Sequence, residues 1–287
     1  MPDTTSRCYG KPIYLGIIRI PKRDEQAVLT LNKHAGVATL ALNRPETHNA
    51  FDAELIEQLT AALQDLDRDD GVRAVIVTGT GSTFSAGADL NWMRSMATAS
   101  ESANLEDSLQ LAKLMRTLNY LSKPTIARVN GAAYGGGVGL IACCDIAIGI
   151  EATKFSLSEV KLGLVPAVIS PYVISAIGLR HARRLFLSAE IFDSALALRI
   201  GLLHETVPYV QLDETIDKTL HWLLKGGPIA QKQAKELALR DGGNTLATAE
   251  KLDQENAALI AKLRVSKEGQ EGLNAFLEKR AAAWVNA

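Results

Sequence analysis

The 287-residue sequence has few of the residues that mark disulfide-rich or metal-binding proteins. It contains three cysteines, Cys8, Cys143 and Cys144, and no CxxC pair. An adjacent pair inside an apolar run is typical of buried thiols, so we predict neither a disulfide framework nor a cysteine metal site. The five histidines are scattered along the chain, and we therefore predict no metal centre.

The sequence also lacks a strong charge of either sign and any long apolar run. Its formal net charge is −1 and no long basic cluster occurs, so we predict no nucleic-acid partner and no membrane partner. No apolar stretch approaches the roughly 20 residues of a membrane-spanning helix. Residues 1–26 combine basic side chains with the short apolar run "PIYLGII". We predict a poorly ordered arm there, with a targeting extension as the alternative, and a cytoplasmic protein.

Hydrophobic residues make up 47% of the chain, and up to about residue 150 their spacing alternates between that of strands and that of helices. Residues 27–32 and 36–43 form a predicted antiparallel pair whose turn includes Gly36, and Asp52 is a predicted helix N-cap. The other predicted elements are strands 73–79, 125–129 and 145–150 and helices 51–69 and 103–121. This alternation predicts an α/β fold of stacked ββα or βαβ units around a parallel sheet.

From about residue 212 the pattern changes to amphipathic helices that are broken by Gly and Pro, without a strand signal between them. We therefore predict three parts: the N-terminal arm of residues 1–26, an α/β core of residues 27–211, and a C-terminal helical lobe of residues 212–287. Such a lobe packs on the body or on another subunit, and we expect it to serve in oligomerisation.

Three consecutive glycines, Gly135 to Gly137, follow a predicted strand and open an apolar segment. Glycines at a helix N-terminus expose backbone N–H groups and let a ligand approach them. Such a site favours an anion, or a carbonyl oxygen that becomes negative during a reaction. Residues 137–142, "GVGLIA", fit a dinucleotide pattern with Glu159 22 residues on, but Gly137 lies eight residues after the strand instead of directly after it. Close packing of helix on strand is a third interpretation.

A second segment of similar design favours the carbonyl oxygen. Residues 75–93 run from a buried-strand pattern through the small-residue loop "SAGAD" into a predicted helix. Two such loops can each direct one amide at the same oxygen. This arrangement is an oxyanion hole, which polarises a thioester or another acyl group.

Five short segments in order along the chain resemble the crotonase (enoyl-CoA hydratase/isomerase) superfamily, from about residue 27 to the C-terminus. They are "LNRPETHNAF", "FSAGADL", "NGAAYGGGVGLIACCDIAI", "SEVKLGLVP" and "EGLNAFLEKR". The resemblance implies a stacked ββα spiral with a C-terminal helical lobe and an acyl-CoA substrate. It implies no cofactor beyond the coenzyme A of that substrate, and self-association as a trimer or a dimer of trimers.

The resemblance also assigns residues to the site. It implies that the N–H groups of Ala88 and Gly136 hold the thioester oxygen and that Glu159 is the catalytic acid and base. The residues it implies for the CoA channel are His48, Asn49, Ala50, Ala86, Asp89, Leu90 and Asn91, together with Phe276 and Lys279, which match positions that reach a neighbouring subunit's CoA in relatives. From its place before a predicted helix, we also interpret Asp89 as a cap that fixes the loop of Ala88.

One glutamate of the family pattern is absent. Family hydratases usually hold the reacting water between two glutamates; the second aligns with Glu159, whereas Gly139 occupies the first position. One carboxylate can deliver water to C3 and a proton to C2 if the water bridges it to both carbons. Burial would raise the pKa of Glu159 towards neutrality, which suits this role. We predict a hydratase, and the alternatives are a Δ3,Δ2-enoyl-CoA isomerase, a general enoyl-CoA hydratase and a non-catalytic acyl-CoA binder.

A narrower resemblance concerns the substrate. "FSAGADLNWM", "GGGVGLIACCDIAI" and "LSEVKLGLVPAVISPYV" look most like bacterial methylglutaconyl-CoA hydratases, a group that itself carries glycine at the position of Gly139. This implies 3-methylglutaconyl-CoA or a related branched glutaconyl-CoA, in leucine breakdown, with an acyl tail that ends in a carboxylate. The candidates to contact that carboxylate are Asn91, Arg94 and Lys161, and Trp92 and Met93 either border the acyl pocket or pack in the core.

Overall fold

The computed structural model of the protein describes residues 16–285, which form ten strands in two sheets and ten α-helices. The strands are β1 (Leu29–His34), β2 (Val37–Leu42), β3 (Ala74–Gly79), β4 (Thr83–Ser85), β5 (Thr125–Val129), β6 (Ala132–Tyr134), β7 (Ile146–Ile150), β8 (Lys154–Ser156), β9 (Phe192–Asp193) and β10 (Glu205–Val207). The helices are α1 (Ala53–Arg68), α2 (Leu90–Thr98), α3 (Glu101–Asn119), α4 (Gly136–Cys143), α5 (Ser170–Ser188), α6 (Ser194–Arg199), α7 (Leu212–Leu223), α8 (Pro228–Asp241), α9 (Leu246–Arg264) and α10 (Lys267–Leu277). All five predicted strands and both predicted helices are present, with ends within two residues of those predicted.

The larger sheet has the strand order β1-β2-β3-β5-β7-β10. Its first pair is antiparallel and turns at Gly36, whose φ of 78° is the left-handed conformation that favours glycine. The other neighbours are parallel. Both faces of the sheet are covered: in β3, Val75 and Val77 belong to the core beneath α1 and α3, whereas Ala74 and Ile76 belong to a core on the opposite face. Burial on both faces explains why the parallel strands read as continuous apolar runs.

The smaller sheet, in the order β4-β6-β8-β9, arises from a repeated unit. Three times the chain places one strand in the larger sheet, the next strand in the smaller sheet, and then enters a helix. The three units are β3-β4-α2, β5-β6-α4 and β7-β8-α5. The predicted stack of ββα units is therefore confirmed.

The C-terminal helices pack mainly on the body, one of the two surfaces expected for this helical lobe. Along α7, Leu212, Ile216 and Leu220 are buried on the second face of the larger sheet with Ile76 and Ile126. Helix α9 packs on α3, and α10 packs on α2. The change to helical sequence at residue 212 coincides with the start of α7, and the apolar faces of α7 and α9 are buried on the α/β body.

The predicted N-terminal arm falls within the described residues from residue 16 onwards. The backbone N–H groups of Ile17 and Ile18 donate to the carboxylate of Asp217 on α7, at 3.2 and 2.7 Å, and Ile17 is buried beside α7. Residues 1–15 of that arm lie outside the described residues. The described part of the arm is therefore held against the body at Ile17 and Ile18.

Three further observations concern the features in which the sequence is poor. Cys143 and Cys144 are buried, as predicted, and Cys8 lies outside the described residues. Between residues 16 and 285 no group of three or more His, Cys, Asp or Glu side chains is placed to hold a metal ion. No helix in that range has the length and apolar character needed to cross a membrane.

Candidate active site

The candidate site lies where three parallel strands of the smaller sheet end. Strands β4, β6 and β8 are neighbours, and Ser85 pairs with Ala133, which pairs with Phe155. Neighbouring strands lie ~4.8 Å apart, so the loops that follow them start side by side. These three loops carry Ala88, Gly136 and Glu159, the residues assigned to catalysis from the sequence.

The loop after β4 presents the amide of Ala88. Phe51 is bridged to this loop: its N–H donates to the Gly87 carbonyl (2.6 Å), and its own carbonyl accepts from the N–H of Asp89 (2.8 Å). In a parallel bridge of this kind the N–H of the middle residue, Ala88, points away from Phe51. No acceptor for that N–H lies among residues 16–285.

The loop after β6 presents the amide of Gly136 beside it. A Cβ added to Gly87 would lie 2.8 Å from the Tyr134 carbonyl oxygen and 3.7 Å from the Gly136 nitrogen, so the two loops are in contact. Gly135 has a φ of 47° and precedes α4, and its N–H donates to the carbonyl of Ser156 at the end of β8 (3.0 Å). Within the described part of the chain, the N–H of Gly136 has no acceptor either. Two unpaired N–H groups on adjoining loops are the kind of donors from which an oxyanion hole is built.

Glu159 completes this group from the third loop. It is the first residue of a 3-10 turn, Glu159–Leu162, and its Oε1 lies 3.1 Å from the place that a Cβ on Gly135 would occupy. Its Oε2 is buried and has no hydrogen-bond partner in the described residues. Burial raises the pKa of Glu159 to about 7. A carboxyl group that titrates near neutrality beside two unpaired amides is suited to proton transfer.

The position one turn further along α4 has a different environment. A Cβ on Gly139 would lie 2.3 Å from Cγ2 and 2.9 Å from Cβ of Ile169, and 3.3 Å from Cε of Met115. Ile169 and Met115 are both buried. Apolar side chains therefore fill the space that a side chain at position 139 would need, and the missing glutamate is not replaced by another polar group at this place.

A cavity of about 550 Å³ opens over these loops. Of the residues singled out in the sequence, those that line it are Ala86, Ala88, Trp92, Met93, Gly136, Glu159, Lys161 and Phe276. Other lining residues come from the C-terminal helices and the segment after them, including Ile260, Arg264, Leu273, Arg280 and Trp284. The cavity is thus built jointly by the ββα units and by the C-terminal helices.

The chain matches known proteins over most of its length. The family model described as enoyl-CoA hydratase/isomerase matches residues 32–287. The crystal structure of an enoyl-CoA hydratase from Shewanella pealeana is 43% identical, with a TM-score of 0.73 over 90% of this chain and 96% of that chain. The chain belongs to the enoyl-CoA hydratase/isomerase family.

Two further relatives align with this chain over nearly the whole of their own length. A Thermus thermophilus protein, provisionally named as an enoyl-CoA hydratase, is 36% identical over 245 residues, which are 85% of this chain and 95% of that protein. The 2,3-dehydroadipyl-CoA hydratase of Escherichia coli K12 is 33% identical over 256 residues, or 88% of this chain and 96% of that protein. The predicted crotonase fold and the predicted enzyme class, a carbon–oxygen lyase of the enoyl-CoA hydratase type, are confirmed.

In this member of the enoyl-CoA hydratase/isomerase family, several residues expected in the CoA channel do not line the cavity. They are His48, Asn49, Ala50, Asp89, Leu90, Asn91 and Lys279. The first two instead support the loop that carries Ala88: the His48 carbonyl accepts from the N–H of Ala86 (2.9 Å), and the Asn49 amide donates to the carbonyls of Thr80 and Thr83. Leu90 and Asn91 are on the exposed side of α2.

Asp89 has the capping role that its sequence position suggested. Its Oδ1 accepts from the N–H groups of Asn91 (2.8 Å) and Trp92 (3.2 Å) at the start of α2. Sequence reasoning missed its partner: Arg44 binds Oδ2 of Asp89 (3.0 Å), Oδ2 of Asp52 (2.9 Å) and the Ala50 carbonyl (2.7 Å). Arg44 thereby ties the caps of α1 and α2 together and fixes the Ala88 loop. Arg44 lies in the segment "LNRPETHNAF", one of the five that resemble the family, and this resemblance was the signal that could have indicated its role.

Phe276, for which the resemblance implied contact with a neighbouring subunit's CoA, lines the cavity of its own chain. This follows from the packing of α10, because a Cβ on Gly272 would lie 2.3 Å from the Leu162 carbonyl carbon. Close approach at Gly272 sets α10 directly on the turn that carries Glu159. Lys279 is exposed, with a φ of 56°.

Proposed function

We propose that the protein adds water to a 2-enoyl-CoA whose acyl chain ends in a carboxylate, of the 3-methylglutaconyl-CoA type. The charge of the cavity lining carries this proposal. Three basic side chains line the cavity: Arg280 is paired with Glu271 and Glu278 and Arg264 with Asp107, whereas Lys161 has no ion-pair partner among the described residues. An acyl-CoA with a negatively charged tail matches a basic cavity better than a neutral acyl chain does.

The reaction would proceed through the three loops. The N–H groups of Ala88 and Gly136 would hold the thioester oxygen and stabilise the enolate that forms when C3 is attacked. Ionised Glu159 would take a proton from water while the water oxygen bonds to C3. The same carboxyl group would then give a proton to C2, so that H and OH add across the double bond and Glu159 is regenerated.

Two observations support a substrate with a terminal carboxylate. The Escherichia coli relative is named for 2,3-dehydroadipyl-CoA, whose acyl chain ends in a carboxylate. Of the three sequence candidates for this contact, Lys161 lines the cavity, whereas Asn91 and Arg94 do not line it and hydrogen-bond each other (2.8 Å). With the resemblance to methylglutaconyl-CoA hydratases, this favours a role in leucine breakdown.

Isomerisation of a 3-enoyl-CoA is the second candidate, and the environment of Gly139 favours it. With Ile169 filling the place of a second carboxylate, Glu159 is the one carboxyl group that lines the cavity within the described residues. Moving a proton between C2 and C4 requires one base and no bound water.

Steady-state kinetics with three thioesters test the proposal: 3-methylglutaconyl-CoA, crotonyl-CoA and a 3-enoyl-CoA. Hydration is followed by the loss of enoyl-thioester absorbance and isomerisation by its gain. We expect kcat/KM to be highest for 3-methylglutaconyl-CoA. Equal efficiency with crotonyl-CoA would refute the substrate class, and turnover of the 3-enoyl substrate alone would assign isomerase activity instead.

We also propose that the protein self-associates as a trimer or a dimer of trimers. The support is the exposure of three large apolar side chains, Val210, Trp222 and Ile229, around α7 and the start of α8. Where exposed apolar side chains form one patch, that patch is typically a contact with a partner. Light scattering should give three or six times the chain mass of 30.9 kDa, and a monomer would contradict the proposal.

A further inference from the structure

Arg264, the last residue of α9, lines the cavity with a side chain that is only 12% exposed. Its Nη1 donates to Oδ1 of Asn104 (3.1 Å) and to Oδ2 of Asp107 (2.8 Å). An arginine Nη atom carries two hydrogens, so these two contacts use both of them.

The partners of Arg264 are themselves held in place. Asn104 is fully buried, and its amide nitrogen donates to the carbonyl oxygens of Met96 (3.0 Å), Ala99 (3.3 Å) and Ser100 (3.2 Å). Asp107 uses its other oxygen, Oδ1, to accept from the Trp92 indole (2.8 Å). The Arg264 guanidinium also lies 5.8 Å from the centre of the Trp92 ring. The guanidinium is therefore positioned before any substrate binds.

One edge of this guanidinium is unused. Its Nε and Nη2 atoms have no acceptor in the part of the chain that the structure describes. The Nε–Nη2 edge presents two parallel N–H bonds, which match the two oxygens of a carboxylate. Asp107 cannot turn to occupy this edge without giving up the contacts of both its oxygens. An external carboxylate can therefore bind there without breaking the network.

Arg264 lines the same cavity as Ala88 and Gly136, and its guanidinium lies 5.8 Å from the ring centre of Trp92, the fourth residue after Ala88. The chain from C1 to C5 of a glutaconyl group spans four carbon–carbon bonds, ~5 Å. Apolar side chains of Met96, Leu111 and Ile260 line the cavity beside Arg264, and their low polarity strengthens a charged hydrogen bond.

We propose that Arg264 binds the terminal carboxylate of the substrate and determines specificity for it. This inference rests on the proposed function, because it names the group that recognises the proposed substrate class. Lys161 is the competing cation. It is exposed at the rim, on the turn that carries Glu159, whereas Arg264 is buried and already fixed in position.

The test compares two substrates that differ only in the terminal carboxylate, 3-methylglutaconyl-CoA and 3-methylcrotonyl-CoA. For Arg264→Gln we expect a loss of ~10²-fold or more in kcat/KM on the first substrate, since two hydrogen bonds to a charged group are removed. We expect a change of less than about threefold on the second. Arg264→Lys keeps the charge but loses the paired geometry, and should show a selective loss of about tenfold.

Arg116→Gln is the matched control, because Arg116 also pairs with a partly buried aspartate, Asp253 (2.7 Å), but does not line the cavity. Its substrate preference should equal that of the unaltered protein. Equal losses on both substrates in Arg264→Gln and Arg264→Lys would overturn the inference and assign Arg264 a structural role. A selective loss in Lys161→Gln alone would overturn it in favour of Lys161. If the unaltered protein shows no preference between the two substrates, the proposed function fails first.

Discussion

Gly135 and Gly139 lie at the two ends of the first turn of the same helix, where the Gly139 N–H donates to the Gly135 carbonyl (3.1 Å). The side chains that contact these two glycines nevertheless differ in chemistry. At Gly135 the neighbour is the Glu159 carboxyl group, with one buried oxygen that lacks a partner in the described residues. At Gly139 the neighbours are Ile169 and Met115. At Gly135 a Cβ would crowd the carboxyl group on a backbone with φ of 47°, and at Gly139 it would collide with Ile169. The first glycine thus admits a reactive group and the second admits core packing. Glycine content alone therefore does not distinguish a ligand site from a packing contact.

Replacing Glu159 by Gln tests the carboxyl group beside Gly135, and its effect on activity should be the largest of those predicted. Gln has nearly the same shape but cannot accept and return a proton. We expect kcat to fall by ~10²–10⁴-fold, as is usual for a general acid–base group. Binding of a non-reactive acyl-CoA, measured by calorimetry, should stay within a few-fold. Turnover that survives the change would show that another group transfers the proton.

The Glu159→Gln variant should be more stable than the unaltered protein at high pH. The pKa of Glu159 is raised from its ordinary value to about 7 by burial, so the native state prefers the neutral acid. The loss of stability caused by ionising this buried carboxyl group is absent below the unfolded-state pKa near 4.5. It grows as the pH rises and is complete above 7. Between pH ~4.5 and ~8 the free energy of unfolding of Glu159→Gln should therefore rise relative to the unaltered protein, by about 3 kcal/mol.

Urea denaturation at several pH values measures this difference. Glu190→Gln is an informative control, because the Arg184 guanidinium lowers the pKa of that exposed carboxyl group. Relative to the unaltered protein, the free energy of unfolding of Glu190→Gln should fall as the pH rises. The change should be slight, since exposed pairs contribute little. A pH-independent difference for Glu159→Gln would mean that its carboxyl group is solvated in the native state.

Local sequence signals predicted the elements that carry the site. Apolar β-rich runs predicted strands such as β5 within two residues, and side chains at helix starts predicted the caps Asp52 and Asp89. These signals are local, because a cap bonds to an amide two or three residues away. The position of a glycine run after a strand likewise predicted exposed backbone N–H groups, and the family resemblance assigned the one at Gly136.

Contacts between distant segments were not predictable in the same way. The residue that fills the space at Gly139 is Ile169, thirty positions later, and the cavity wall at Trp92 is completed by Arg264. Nothing in the local pattern of either partner indicates the other, since the pairing depends on how α4, α5 and α9 pack. For the same reason the sequence left open whether the C-terminal helices pack on the body or on another subunit: amphipathic spacing shows that a helix buries one face, but not which surface covers it.

A double-mutant cycle at Gly139 and Ile169 tests the packing side of the comparison. In an ordinary helix interior, Gly→Ala stabilises by ~1 kcal/mol. Here the added Cβ would meet Ile169 at 2.3 Å, so we expect Gly139→Ala to destabilise by ~1–3 kcal/mol despite the gain in helix propensity. Ile169→Ala removes the colliding Cγ2, and adding it to Gly139→Ala should be less harmful than the sum of the two single changes, by ~1 kcal/mol. Strictly additive free energies of unfolding would show that the two residues are not in contact.

The pH dependence of kcat/KM is the smallest expected effect when it is measured over a single pH unit. Because the pKa of Glu159 is about 7, its basic form predominates above neutrality and is depleted below it. Ionised Glu159 is required to accept a proton from water, so kcat/KM should fall about tenfold per pH unit below ~7 and level off above it. This parameter reports ionisation of the unbound enzyme, and it should be measured on a neutral substrate such as crotonyl-CoA so that a substrate carboxylate does not contribute. A rate that rises with acidity would require the neutral acid as the active form, and it would place the first proton transfer at C2 instead of at the attacking water.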